Sequence, residues 1–175
     1  MTALNLTAGG TPFETPVIVG PGSAASPAIA VRSLASGLWS SAEGSLSLAA
    51  GGVTGLTVTS TGLSMALPIL HTVANTLTAT AGGTQAAALA LTASINRITV
   101  CATGGDSVRL PVSVAGMKIV VINDGAAAAQ VFGAGTDTID AVATATGVVL
   151  TNARRAEFWC VVAGLWQSGG MAKTT

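Results

Sequence analysis

The chain has 175 residues, with seven Lys or Arg balanced by seven Asp or Glu and a single histidine. So few charges, summing to zero, exclude nucleic acid as a partner, because neutralising phosphates needs a clustered basic surface. A mean hydropathy of +0.68 invites a membrane reading, but Thr, Ser, Gly or Asn breaks every run before eighteen apolar residues accumulate.

The first residues, MTALNLTAGGTPFE, have neither the basic nor the apolar region of a secretion signal. Synthesis and assembly in a cytoplasm are therefore expected, with any exit by a route that needs no signal. Residues 1–30 carry Pro12, Pro16, Pro21 and Pro27 among Gly and Ser, a spacing that denies them a helix or a central strand. They read as an extended arm that lies on a partner surface, or else as a loose tail.

Residues 31–94 read as a region of short strands. In residues 1–96, 56 are Ala, Gly, Ser or Thr, and the only charges are Glu14, Arg32 and Glu43. Leu46 and Leu48, then Leu56 and Val58, alternate with Ser, Thr or Ala, which is the period of a strand with one apolar face. Residues 71–94 read as two strands with Gly82-Gly83 in the turn. The stretch QAAALALTAS within them could instead form one short helix.

From Ile95 to the end the pattern changes. INRITVCAT, SVRLP, KIVVIND, AQVFGA, TIDAVA, GVVLT, RAEFWCVVA and LWQS are short β segments separated by Gly-, Asp- and Asn-bearing turns. Such spacing predicts a compact β-sandwich or barrel over 95–175. Phe132, Phe158, Trp159 and Trp166 supply bulk for its core. Cys101 and Cys160 fit no metal-ligand spacing and read as buried free thiols.

The thin strands of 31–94 pose an energetic problem. Ordering each residue costs roughly 1.5 kcal/mol, and burial returns only about 25 cal/mol per Å² of apolar surface. Strands of Ser, Gly, Thr and Ala have little such surface. Burial by other copies of the same segment closes the gap, and three chains around one axis is the arrangement expected. The fold class is thus all-β: a proline-rich extended arm, an intertwined trimeric short-strand region, and a C-terminal β-sandwich or barrel.

Two stretches resemble modules of phage virion proteins. SGLWSSAEGSLSLAAGGVTGLTVTSTG is similar to a short module of bacteriophage fibre and spike proteins: Gly37-Leu38-Trp39-Ser40 matches its opening, Leu46, Leu48 and Gly52 follow, and Leu56, Val58 and Gly62 close it. Trp39 replaces the usual Tyr, and Val53-Thr54-Gly55 stands where a charged pair is common. Residues 95–168 resemble a small β module of phage virion proteins. The landmarks are Gly105-Asp106, Val108-Arg109-Leu110-Pro111, Gly116, Val121-Ile122-Asn123, Gly125, an aromatic before Cys160, and Trp166. These resemblances imply a virion structural protein that is a homotrimer.

Residues of reactive or ligating type have plainer readings. His71 has no recognisable Ser or acid partner and reads as a neutral strand histidine. Asp137 and Asp140 are either turn aspartates, the favoured reading, or ligands of a calcium site. Arg154-Arg155, followed by Glu157, reads as a turn or strand end. GPGSAA at 20–25 lacks the lysine and context of a phosphate cradle. Trp39 is read as an aromatic of the trimer core, with sugar stacking as the alternative; Trp159 and Trp166 are read as core. Three glutamates and four aspartates do not suggest the facing carboxylate pair of a depolymerase. No catalytic residue, cofactor or metal is therefore assigned. The expected function is a capsid decoration (cement) protein or short head fibre, with the major capsid protein or other virion proteins as partners. The alternative is a tail-fibre or receptor-binding component.

Overall fold

The computed structural model describes residues 20–31 and 33–171. Every regular element in that range is a strand. The chain divides into two compact units, residues 1–69 and 70–175. Most of the expected arm, residues 1–19, lies outside the described residues.

The first unit holds one antiparallel sheet in chain order: β1 (Ile29–Val31), β2 (Ser33–Trp39), β3 (Leu46–Ala50), β4 (Val53–Thr59) and β5 (Gly62–Met65). Tight turns set its register. Ala50 pairs with Val53 across Gly51-Gly52, and both glycines have positive φ, 59° and 79°. A two-residue hairpin loop of this kind needs that conformation. Gly37 is required for a different reason: a Cβ there would stand 1.8 Å from the Ile29 carbonyl oxygen on the neighbouring strand. Before β1, Gly22 and Pro27 form an isolated bridge, and Ser40 donates to the Pro21 carbonyl at 2.8 Å.

The second unit has two sheets. Its strands are β6 (Val73–Thr78), β7 (Leu89–Ala90), β8 (Ile95–Val100), β9 (Ser107–Arg109), β10 (Lys118–Asn123), β11 (Ala129–Phe132), β12 (Thr138–Ile139), β13 (Val148–Leu150), β14 (Arg154–Val162) and β15 (Leu165–Met171). One sheet has the order β12-β15-β14-β10-β8-β6, the other β13-β11-β9-β7. From β6 to β14 the chain alternates between the two sheets. Successive coils stack in parallel, so Val73, Ile95 and Val120 lie side by side in one sheet, and Leu89, Val108 and Val131 in the other. β13 and β14 then run antiparallel to β11 and β10. The arrangement is solenoid-like, with a last coil that turns back.

Both sheets share one core. Ile98, Val121, Phe158 and Trp166 from one sheet and Val108, Val131 and Leu150 from the other belong to a single buried cluster. Cys101 and Cys160 are in it too, both as free thiols. Asn123, fully buried, ties the layers together: its Nδ2 donates to the carbonyls of Ala127 and Leu150 at 2.9 Å each, and its Oδ1 accepts from the Gly125 N–H at 3.0 Å.

Several expectations need correction. Residues 70–94 do not belong with the thin strands: β6 pairs with β8 and β7 with β9, which moves the boundary from Ser94 to Ile69. Gly82 does sit in a turn, but β6 and β7 enter different sheets and form no hairpin. The alanine stretch makes a single turn, in which Ala88 donates to the Thr84 carbonyl at 2.9 Å, before β7 begins. Trp159 is 47% exposed. Strand alternation explains this, because Phe158 and Cys160 on either side point inward. His71 lies outside any strand and is exposed.

Candidate interaction surface

The central strand of the first unit's sheet is inside out. Along β3 the exposed positions are Leu46, Leu48 and Ala50, and the buried ones are Ser47 and Ala49. Cross-strand register shows which residues of the neighbouring strands share each of its faces. Ile29, Leu38, Leu48, Leu56 and Met65 face one another in a row across all five strands. Leu46, Val58 and Leu63 make a second row on the same face. Directly opposed residues in a sheet share a face, so these eight form one continuous aliphatic surface.

The other face carries one aromatic among hydroxyl side chains: Trp39, Ser47, Thr57 and Ser64 form a row by the same register. Ser47 is fully buried, with its Oγ 3.0 Å from Thr57 Oγ1. Folding alone drives the opposite choice, apolar in and polar out. Ile29, Leu46, Leu48, Val58, Leu63 and Met65 are each between 42% and 60% exposed. Covering these six half-open side chains would recover roughly 5–9 kcal/mol per copy, at about 1.5–3 kcal/mol for full burial of each.

Trp39 lies on the hydroxyl face, away from the row that carries Leu48. Its Nε1 is buried without a hydrogen-bond partner. Beside it is a pocket of about 140 Å³ lined by Gly20, Pro21, Ala28, Ile29, Leu38 and Leu46.

In the second unit the landmark residues brace the turns. Asp106 accepts backbone N–H groups from Ala102 at 2.8 Å, Thr103 at 3.0 Å and Gly82 at 3.3 Å. The Thr103 hydrogen bond foremost holds its carboxyl below the usual range, with Gly82 and Ala102 adding to it against the effect of burial. Arg109 donates to the carbonyls of Gln85 and Ala86. A Cβ at Gly125 would fall 2.5 Å from Cys101 Cβ. Burial, reinforced by the charge of Asp106, pushes the Cys101 thiol up.

The remaining acids are engaged one by one. Asp137 accepts the Ser113 N–H at 2.9 Å, and Asp140 accepts from both the N–H and the hydroxyl of Ser168. Asp124 pairs with Arg97 at 2.6 Å, and Glu157 with Lys118 at 2.9 Å. The Lys118 ammonium also lies 4.6 Å from the centre of the Trp159 ring. Among the described residues no group of three or more His, Cys, Asp or Glu is placed to hold a metal ion. A concavity of about 310 Å³ is lined in part by Val148, Leu150, Arg154, Arg155 and Phe158, and both arginines already have partners.

Sequence reasoning found Leu46, Leu48, Leu56 and Val58. It missed that Ile29, Leu63 and Met65 extend their rows, although Leu63-Ser64-Met65 carries the same alternation. Compared with known proteins, the chain matches no family model, no curated protein and no solved structure.

Proposed function

We propose that the chain is a structural component of a tailed-phage virion, a homotrimeric capsid decoration (cement) protein or short head fibre. The observation that carries this reading is the inverted central strand β3, with Leu46 and Leu48 open and Ser47 closed, in a sheet whose aliphatic rows include six half-exposed side chains. Such a layer suits a protein that completes itself only in an assembly. The self-contained core of the second unit supports the same reading, as a compact body to be displayed on a particle. The resemblances of residues 37–62 and 95–168 to phage virion modules supply the setting. In it the partners are two further copies and the major capsid protein or other virion proteins, joined in the host cytoplasm. No catalytic role is proposed.

A tail-fibre or receptor-binding role is the second reading. It is favoured by Trp159, an exposed aromatic beside Lys118, since such residues anchor binding surfaces. Copy number separates the two. Densitometry of purified virions against the major capsid protein is expected to show many copies per particle; only a few copies would move the protein to the tail. Removal of residues 1–19, the larger part of the attachment arm proposed for residues 1–30, is expected to release it from the shell while preserving its own oligomer, because prolines restrict the free backbone and so lower the entropy lost on docking. Retained binding after that truncation would reject the arm as the attachment element.

A further inference from the structure

The geometry points to the aliphatic face of the first unit's sheet as the surface turned toward a threefold axis, with two further copies of this chain as its occupants. This rests on the homotrimer reading above and adds which face closes it.

Chemistry selects the occupant. The two rows contain no charged side chain and no side-chain hydrogen-bonding group. A partner that brought a charge or an amide to this face would leave it buried and unpaired. A partner must therefore present an equally bare aliphatic layer, and the same face of another copy is one. Leu46 and Leu48 project from β3, the central strand of the five, so the middle of each face meets the axis and the outer strands flank it.

The number three comes from the homotrimer reading, and size sets how much each contact buries. Five strands about 4.8 Å apart, each contributing about five residues at ~3.3 Å, give roughly 400 Å² per copy. Three copies closing this face would bury about 1,200 Å² in all, shared among three pairwise contacts of about 400 Å² each, so the contacts form together or not at all.

The test uses the full chain carrying Leu48→Cys, compared with Val149→Cys, whose parent side chain in the second unit is 65% exposed. The native cysteines are buried and give a slow background. The thiol of Leu48→Cys is expected to react with a maleimide on the order of 100-fold more slowly than that of Val149→Cys until urea dissociates the protein. Mild oxidation is expected to yield a covalent dimer from Leu48→Cys alone. Sedimentation should give a three-copy mass for both cysteine variants and a lower mass for Leu48→Asp. If Leu48→Asp fails to fold, the labelling comparison stands on its own. Equal labelling rates with a three-copy mass would overturn this assignment and leave the homotrimer reading intact. Equal rates with a monomer mass would reject both. Protection with a two-copy mass would overturn the threefold arrangement. Protection in a monomer, lost on removal of residues 1–19, would make that segment the occupant and overturn the inference.

Discussion

Phe158→Ala tests whether the second unit has a core of its own. Phe158 is fully buried on β14, opposite Ile119 on β10 and Ser168 on β15. Its ring belongs to the cluster that joins the two sheets, so its loss opens a cavity between the layers. A phenylalanine truncated in such a site costs about 3–5 kcal/mol. Against a total of about 5–15 kcal/mol for a typical domain, that is a large share. With a urea slope of about 2 kcal/mol per M, the midpoint for this unit should fall by roughly 2 M. Hydrogen exchange read peptide by peptide is the assay. Protection should drop across β8, β10 and β14, while peptides from β3 and β4 keep theirs and the sedimenting mass is unchanged. A midpoint shift below about 0.5 M, equivalent to less than about 1 kcal/mol, would refute the packing argument. Protection lost equally in β3 and β4 would show instead that the units do not hold separate cores.

Three further outcomes follow from single residues. Asp106 has a carboxyl held below the usual value of about 3.9, so its contribution is present above that value and lost as pH falls through the lowered one. Asp106→Asn should therefore weaken the second unit at neutral pH and flatten its acid-unfolding profile, and a profile parallel to wild type by circular dichroism would exclude this role. Gly37→Ala places a methyl against the Ile29 carbonyl and should cost about 1–3 kcal/mol or detach β1; an unchanged melting temperature for the first unit would contradict the observed pairing. Cys101 and Cys160 should both resist Ellman's reagent until the protein is denatured, because both sulfurs are buried away from it and at Cys101 burial also disfavours the attacking thiolate. Intact mass should match two free thiols, and a mass lower by one disulfide would overturn the assignment.

The strands of the second unit were legible because their turns are marked by Gly, Asp and Asn and their cores by β-branched residues. How they pair was not. A turn such as Gly104-Gly105-Asp106 serves a hairpin or a step to another sheet equally well, and the partner of Ile95 is Val120, with a whole strand of the other sheet between them. Composition misplaced residues 70–94 for a similar reason: Ala and Thr report bulk, while β6 and β7 are assigned by whom they pair with. Adjacent Phe158 and Trp159 could never both be core on a two-residue period, so that correction was available in the sequence. The aliphatic rows were half legible. Long alternations on β3 and β4 announced themselves, whereas β1 has three residues and β5 four, too few to show a period.

The two units resolve one constraint in opposite ways. In the second, small strands reach adequate burial by stacking coil on coil until Trp166, Phe158, Leu91 and Ile98 are enclosed. In the first, a single layer has two faces and one chain, and only one face can be satisfied. The chain satisfies the hydroxyl face, where Ser41, Ser47 and Thr57 bond to one another, and leaves Leu48 and its neighbours open. Buried hydroxyls need partners at fixed positions, which a chain supplies best from its own adjacent strands. Aliphatic packing is non-directional and tolerates supply from outside. If copies of the same face close that surface, the first unit's stability becomes a function of protein concentration while the second unit's does not. Folding and assembly are then separable along the chain: residues 70–171 form a body that exists before assembly, and residues 29–65 form a layer that assembly completes.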